Sequence, residues 1–274
     1  QAKSALAANQ VAMATTAKNV SNVNTEGYSR QRVELVTGTP EELGKIRVGG
    51  GVDVGNVSRS TNEFVQNRLI EENSTLGKYQ GLTDIYSQLE VVFHEDGEGS
   101  VTNAVSQFFN NLRTLSTQPD SVPVRTAVRE AANTLSHRFN SMSNSIDQVV
   151  GDVDARIQGA VSEVNRLSEK IAHLNAQIVS YEVKGGGVTA NDERDQRDMA
   201  ILELSKLVDV KTTQLENGGI NVSSTNLGPL VMGPDRMELA AARAPAGPNP
   251  NAMRVFMVSP YNTVPPKDIS DKFE

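Results

Sequence analysis

Ile157, Val161, Val164, Leu167, Ile171, Leu174, Ile178 and Tyr181 recur at spacings of 4, 3, 3, 4, 3, 4 and 3. Spacing of that kind lays one continuous stripe along an α-helix, as in a coiled-coil seam, whereas a strand changes face at every residue. The predicted helix runs from about Asp152 to Val183, contains no proline, and ends at Gly185-Gly186-Gly187. Its one irregular step, the second spacing of three in a row, locally overwinds the supercoil. Arg156, Glu163, Arg166, Glu169, Lys170 and Asn175 fall on the other faces. A helix with one long stripe is stable only when packed on neighbours, so the chain is built around helix packing.

The same reading extends over residues 61–207. Leu76, Tyr79, Leu82, Tyr86, Leu89 and Phe93 repeat at threes and fours, as do Val101, Val105, Phe108, Leu112 and Leu115. Asp120-Ser121-Val122-Pro123 supplies a cap with proline in the first turn. A separate helix follows with Val124, Val128, Ala131, Leu135, Phe139, Met142, Ile146 and Val149. His94 to Ser100 is an acidic, glycine-rich break, and a shorter helix is expected from about Glu193 to Leu207. The fold class is mainly α with a smaller β part: an elongated antiparallel helical bundle or coiled coil.

Residues 1–30 form a terminal helix and a hinge. Ala2, Leu6, Asn9, Met13, Thr16, Val20 and Val23 keep a heptad spacing, but two of these seven are polar and one is only alanine. Such a thin stripe needs a partner. Ser21 to Tyr28 is turn chemistry, in which Asn and Gly tolerate the left-handed backbone that ends a helix. Residues 31–60 are a small β excursion, with Arg32 to Val36 and Ile46 to Val48 as strands and Gly49-Gly50-Gly51 as a bend. Residues 208–274 are β-rich. Val208 and Val210, then Leu215-Glu216-Asn217-Gly218-Gly219-Ile220-Asn221-Val222, are a hairpin signal. Leu230 to Met232 and Arg254 to Val258 are further short strands, and Pro245, Pro248 and Pro250 mark a loop.

Material for chemistry is scarce. The chain has no cysteine, so disulfides and thiolate metal sites are excluded. No tryptophan and 4% aromatics are thin for an aromatic-walled ligand pocket. The net charge of −7, without a basic run, argues against nucleic acid. The short apolar runs argue against membrane insertion, and the first residues lack the apolar core of a secretory signal. Gly44-Lys45 and the glycines from 49 to 55 complete neither a phosphate loop nor a dinucleotide fingerprint. His94-Glu95-Asp96-Gly97-Glu98 lacks calcium-loop spacing, and His137 and His173 stand singly on helices. No catalytic, cofactor or metal residue is assigned. Asp192 to Asp198 alternates carboxylates and guanidiniums, and is read as a structural ion-pair cluster centred on Asp195, Arg197 and Asp198.

Two motifs point to a family. Asn19-Val20-Ser21-Asn22-Val23-Asn24-Thr25-Glu26-Gly27-Tyr28-Ser29-Arg30-Gln31 resembles the N-terminal signature of flagellar axial proteins (rod, hook and hook-associated). Ser-Arg-Gln after the tyrosine is similar to the hook-associated branch. Asp195-Gln196-Arg197-Asp198, followed by Leu202 to Val208, resembles a segment after the long helix in that branch. The resemblance implies a non-enzymatic structural subunit joining hook to filament, extracellular, and exported by the flagellar apparatus without a cleaved signal peptide. It implies contacts with further copies of itself in a ring or helix, with the hook protein, and with a second junction protein toward flagellin. It also implies an export chaperone bound through a C-terminus absent from this chain. The family plan has a further β domain and C-terminal helices, so a fragment is expected. Hook or distal rod proteins share the first motif but not the long helix. A non-flagellar coiled-coil adhesin or secretion protein lacks the Asn-Gly-Tyr turn. Leu6, Met13, Val20, Asn22, Asn24, Gly27 and Tyr28 are the expected assembly and hinge residues, with Gly27 in a glycine-only conformation and the Tyr28 ring buried.

Overall fold

The computed structural model describes residues 2–43, 46–93, 100–184, 188–243, 252–258 and 267–270, with the backbone alone at 41–43, 46–48 and 184. The Gly44-Lys45 pair, the His94 to Glu98 cluster, the triglycine at 185–187, and prolines 245, 248, 250, 265 and 266 lie outside them. The chain is mainly helical with antiparallel strand pairs. Helix α1 (Ala2–Ser21) leads to β1 (Gln31–Thr37), β2 (Glu41–Leu43), β3 (Ile46–Val48) and β4 (Val52–Arg59). Helices α2 (Glu63–Phe93), α3 (Val101–Thr117), α4 (Val122–Lys184) and α5 (Asn191–Ser205) follow. The remainder is β5 (Lys211–Gln214), β6 (Ile220–Ser224), β7 (Gly228–Met232), β8 (Asp235–Arg236), β9 (Glu238–Arg243), β10 (Met253–Val258) and β11 (Lys267–Asp268).

The two helices expected at 124–149 and 152–183 are one, the 63-residue α4. Gly151 does not interrupt it, because one interior glycine costs only about 1 kcal/mol relative to alanine. Val153 also carries the stripe from Val149 to Ile157 at helical spacing. Pro123 sits in the first turn, where its missing N–H is harmless.

Contacts divide the chain into two compact units, one of residues 1–78 and 160–274, the other of residues 79–159. The first holds most of the core. Leu167, Ile171 and Ile178 of the α4 stripe are fully buried, together with Leu204 of α5, Val222 of β6, and Leu230 and Val231 of β7. Its sheets run β5-β6-β7-β8 and β11-β10-β9, all antiparallel, beside the β1-β4 and β2-β3 pairs. β1 pairs with β4 rather than with β3, and Gly55 is the extra residue of a bulge opposite Glu34 and Leu35. Asn165 and Asn175 of α4 act as backbone substitutes at its sheets. Asn165 donates to Leu239 O (2.7 Å) and accepts from Leu239 N (2.9 Å). Asn175 donates to Ile220 O (2.8 Å) and Gly233 O (2.7 Å) and accepts from Ile220 N (3.1 Å). Along α4 and α5, Glu182 meets Arg194 and Asn175 meets Arg197, so these two helices run antiparallel.

In the second unit, α3 half-buries Val101, Val105, Phe108, Leu112 and Leu115, as their spacing predicts. Among its described residues only Ala131 and Asp154 are buried. Along α2, whose first part belongs to the first unit, the stripe departs from expectation: Leu76, Tyr79, Leu82, Tyr86 and Phe93 are exposed and only Leu89 is half-buried, while Ile70 is buried and Ile85 and Val92 are half-buried. α2 carries apolar residues on more than one face, and periodicity alone cannot say which one the chain covers.

Candidate functional site

The path from α1 into β1 is a stapled elbow. α1 ends with Asn22 N and Nδ2 donating to Lys18 O, at 3.1 and 3.0 Å, and Asn22 is half-buried. Thr25 N and Tyr28 N then close successive turns on Asn22 O (3.0 Å) and Thr25 O (3.2 Å). Asn24 is exposed on the outside of the bend. Gly27 has φ +78°, a region that residues with a Cβ rarely adopt. Tyr28 is half-buried rather than fully enclosed, and its hydroxyl donates to Asn19 Oδ1 (2.8 Å). Asn19 also accepts from Gln31 N (2.9 Å) and donates to Gln31 O (2.8 Å), tying the helix to the strand.

The second motif closes on this elbow. Asp195 of α5 accepts from Ser29 N at 3.0 Å, across 166 residues of sequence. Lys18 reaches Asp192 at 2.6 Å and Gln31 Nε2 donates to Asp192 at 3.1 Å. Arg59, at the end of β4, bridges Asp195 (2.7 Å) and Asp198 (2.8 Å). Arg197 points the other way, donating to Asn175 Oδ1 (3.1 Å) and Gly218 O (2.9 Å). It is fully buried, and burial pulls its pKa down to about 10, still cationic at neutral pH. Arg194 grips Glu182 with two bonds of 2.8 Å. Thus α5 joins elbow, β4, long helix and hairpin, and the expected ion-pair residues all lie in this network. Arg59, Asn175 and Met199 escaped the sequence reading as site residues, since each meets residues distant in the chain; Asn19 lay inside the first motif without a role, and Glu182 stood 12 residues from its arginine. Of these, Asn175 carried a signal: a polar residue one place beyond the buried Leu174.

Gly27→Val is expected to cost about 2–4 kcal/mol, from left-handed strain together with overpacking. A Cβ there would lie 2.1 Å from Met199 Cγ and 2.5 Å from its Sδ. Urea unfolding of Gly27→Val and of Gly27→Val/Met199→Ala separates the two parts, because only the contact is relieved in the double variant. The Arg194 hydrogen bonds hold the Glu182 carboxyl below the usual carboxylate range. A lowered folded-state pKa stabilises above the unfolded value and is lost as pH falls through the folded one. The melting temperature should therefore drop more steeply on acidification below about pH 4.3 in the parent than in Glu182→Gln.

α1 faces two ways. Its inner side is made of small residues, with Ala8 buried and Ala5, Ala12 and Thr15 half-buried, and α1 packs on β1 and β4. The wider stripe points out: Leu6, Met13 and Val20 are 61%, 66% and 68% exposed. Small inner side chains let the helix approach the strands closely and leave its larger apolar groups uncovered. A polar cleft of about 530 Å³ opens beside the network, lined by Arg59, Glu63, Arg194 and Asp198, but these arginines already hold carboxylates. Among the described residues no group of three or more histidine, aspartate or glutamate side chains is placed to hold a metal ion.

Residues 86–271 match the family model described as the flagellar hook-associated protein FlgK helical domain, and residues 2–28 match that of flagella basal body rod protein. Flagellar hook-associated protein 1 of Bacillus subtilis is 32% identical over 230 residues, which is 81% of this chain and 45% of that protein. The Salmonella typhimurium protein of the same name is 30% identical over 249 residues, 90% of this chain and 44% of its own length. The chain thus spans a little under half of these curated relatives. The solved structure of the flagellar hook junction protein FlgK from Burkholderia pseudomallei superposes with a TM-score of 0.62 at 22% identity, over 75% of this chain and 36% of that one. It shares the fold.

Proposed function

The chain belongs to the flagellar hook-associated protein FlgK family, and from that premise we propose that it is a non-enzymatic structural subunit joining hook to filament in the bacterial flagellum. The observation that carries the reading is the outward stripe of Leu6, Met13 and Val20 on a helix held at its C-terminal end by both family motifs. A helix so fixed presents its uncovered apolar side in one direction, which suits repeated packing between subunits. Residues 1–30 serve as the assembly segment, with Asn22, Asn24, Gly27 and Tyr28 setting its angle. The partners are further copies of the chain in a ring or helix, the hook protein on one side and a second junction protein toward flagellin on the other. An export chaperone binds outside this chain. The protein is extracellular and leaves the cell through the flagellar export apparatus. The rod-protein match is confined to residues 2–28, which favours a terminal helix of the general axial type on a hook-associated body, over a hook or rod protein.

The test is complementation of a deletion strain with the full-length gene carrying Leu6→Lys. The purified variant should melt within about 0.5 kcal/mol of the parent, because the site is exposed. Micrographs should show hooks without filaments, with flagellin shed into the medium. Normal filaments and motility would remove the outward stripe from assembly.

A further inference from the structure

Asn217-Gly218 is the only Asn-Gly pair in the chain. In a flexible chain such a pair is reactive, because glycine leaves its own backbone nitrogen unshielded beside the asparagine side chain. Here the nucleophile is occupied and the asparagine side chain is held in one orientation. Gly218 N donates to Leu215 O at 3.1 Å, and Asn217 Oδ1 accepts from Gly219 N at 3.1 Å. Gly218 is held at φ +85°, and its carbonyl takes the Arg197 guanidinium at 2.9 Å. A Cβ on Gly218 would lie 2.5 Å from Glu182 Oε2 and 2.8 Å from Arg194 Nη2, so the turn is lodged against the ion-pair network. Asn217 is itself exposed to water. Its protection comes from geometry rather than from burial.

We propose that Asn217 is a fold-gated deamidation site, silent in the native protein and reactive whenever the turn or the chain is unfolded. Gly218 N gives its proton to solvent base and attacks Asn217 Cγ. The new N–C bond closes a five-membered imide as the amide C–N bond breaks and ammonia leaves. Water opens the imide at either carbonyl, giving aspartate or isoaspartate, with no oxidant or cofactor required. Isoaspartate adds one methylene to the main chain just before the carbonyl that Arg197 holds, and adds a negative charge to the turn. A chain modified while unfolded therefore refolds with a weakened joint between hairpin and α5. This inference does not depend on the flagellar reading.

The chain is incubated at mildly alkaline pH in native buffer and, in parallel, in guanidinium chloride, and peptide masses are followed with time. In denaturant, Asn217 should gain about 1 Da before any other asparagine does, with isoaspartate detected. In native buffer its conversion should be at least about tenfold slower, limited by openings of the turn. Asn217→Gln should abolish the early product. Equal rates in the two states, or another asparagine leading in denaturant, would overturn the proposal. The modified chain, refolded, should melt below the unmodified one, with Asn217→Asp between them because it adds charge without the methylene. Melting of the modified chain at the parent temperature would overturn the weakening of the joint.

Discussion

Ile171→Asp is expected to destabilise the chain by about 5 kcal/mol, adding an unpartnered carboxyl to the loss of a core side chain. Ile171 is 0% exposed, at the centre of the buried part of the α4 stripe between Leu167 and Ile178. Burial disfavours the charged form, so the carboxyl takes a proton and loses its hydrogen bonds to water. The contrasting variant lies on the same stripe. Tyr181 is 51% exposed, and Tyr181→Asp should change stability by no more than about 1 kcal/mol. Denaturant unfolding of both separates the two environments. Equal losses would mean that the helix packs along its whole seam in solution.

Arg197→Ala is expected to cost about 3–5 kcal/mol, the range for breaking a buried charged network by removing one partner. The loss leaves Gly218 O without its donor and opens a cavity beside Asn175. Arg197→Met keeps most of the volume and removes the buried charge, so it should lose less, about 1–3 kcal/mol, set mainly by the unpaired carbonyl. The order Ala below Met below parent, in denaturant midpoint at constant slope, is the result to look for. A methionine variant as damaging as alanine would assign the effect to the charge network rather than to packing. An alanine variant within about 0.5 kcal/mol of the parent would mean that the joint contributes nothing to stability.

Local features were legible where one segment decides its own structure. The 20-residue α1, the proline opening α4, the β5–β6 hairpin and the glycine-only conformation at Gly27 all follow from short-range chemistry. β9 escaped, because Glu-Leu-Ala-Ala-Ala-Arg has helix-forming composition and becomes a strand only by pairing with β10. The break expected between Val149 and Asp152 is one that neighbouring turns carry straight through.

Periodicity gave the sequence its helices and the faces that could pack, because that spacing is a property of one strand of chain. Which face is covered was decided by tertiary structure alone. α1 lays its alanines on β1 and β4 and leaves Leu6, Met13 and Val20 outside, and α2 exposes most of the stripe that its spacing marks. The two motifs were visible separately as a turn and a charge cluster. That Ser29 donates to Asp195 could not be read from either, because hydrogen bonds across 166 residues depend on how the intervening helices fold back. Local chemistry fixes dihedral angles, whereas the closing of such a joint rests on burial summed over the whole unit.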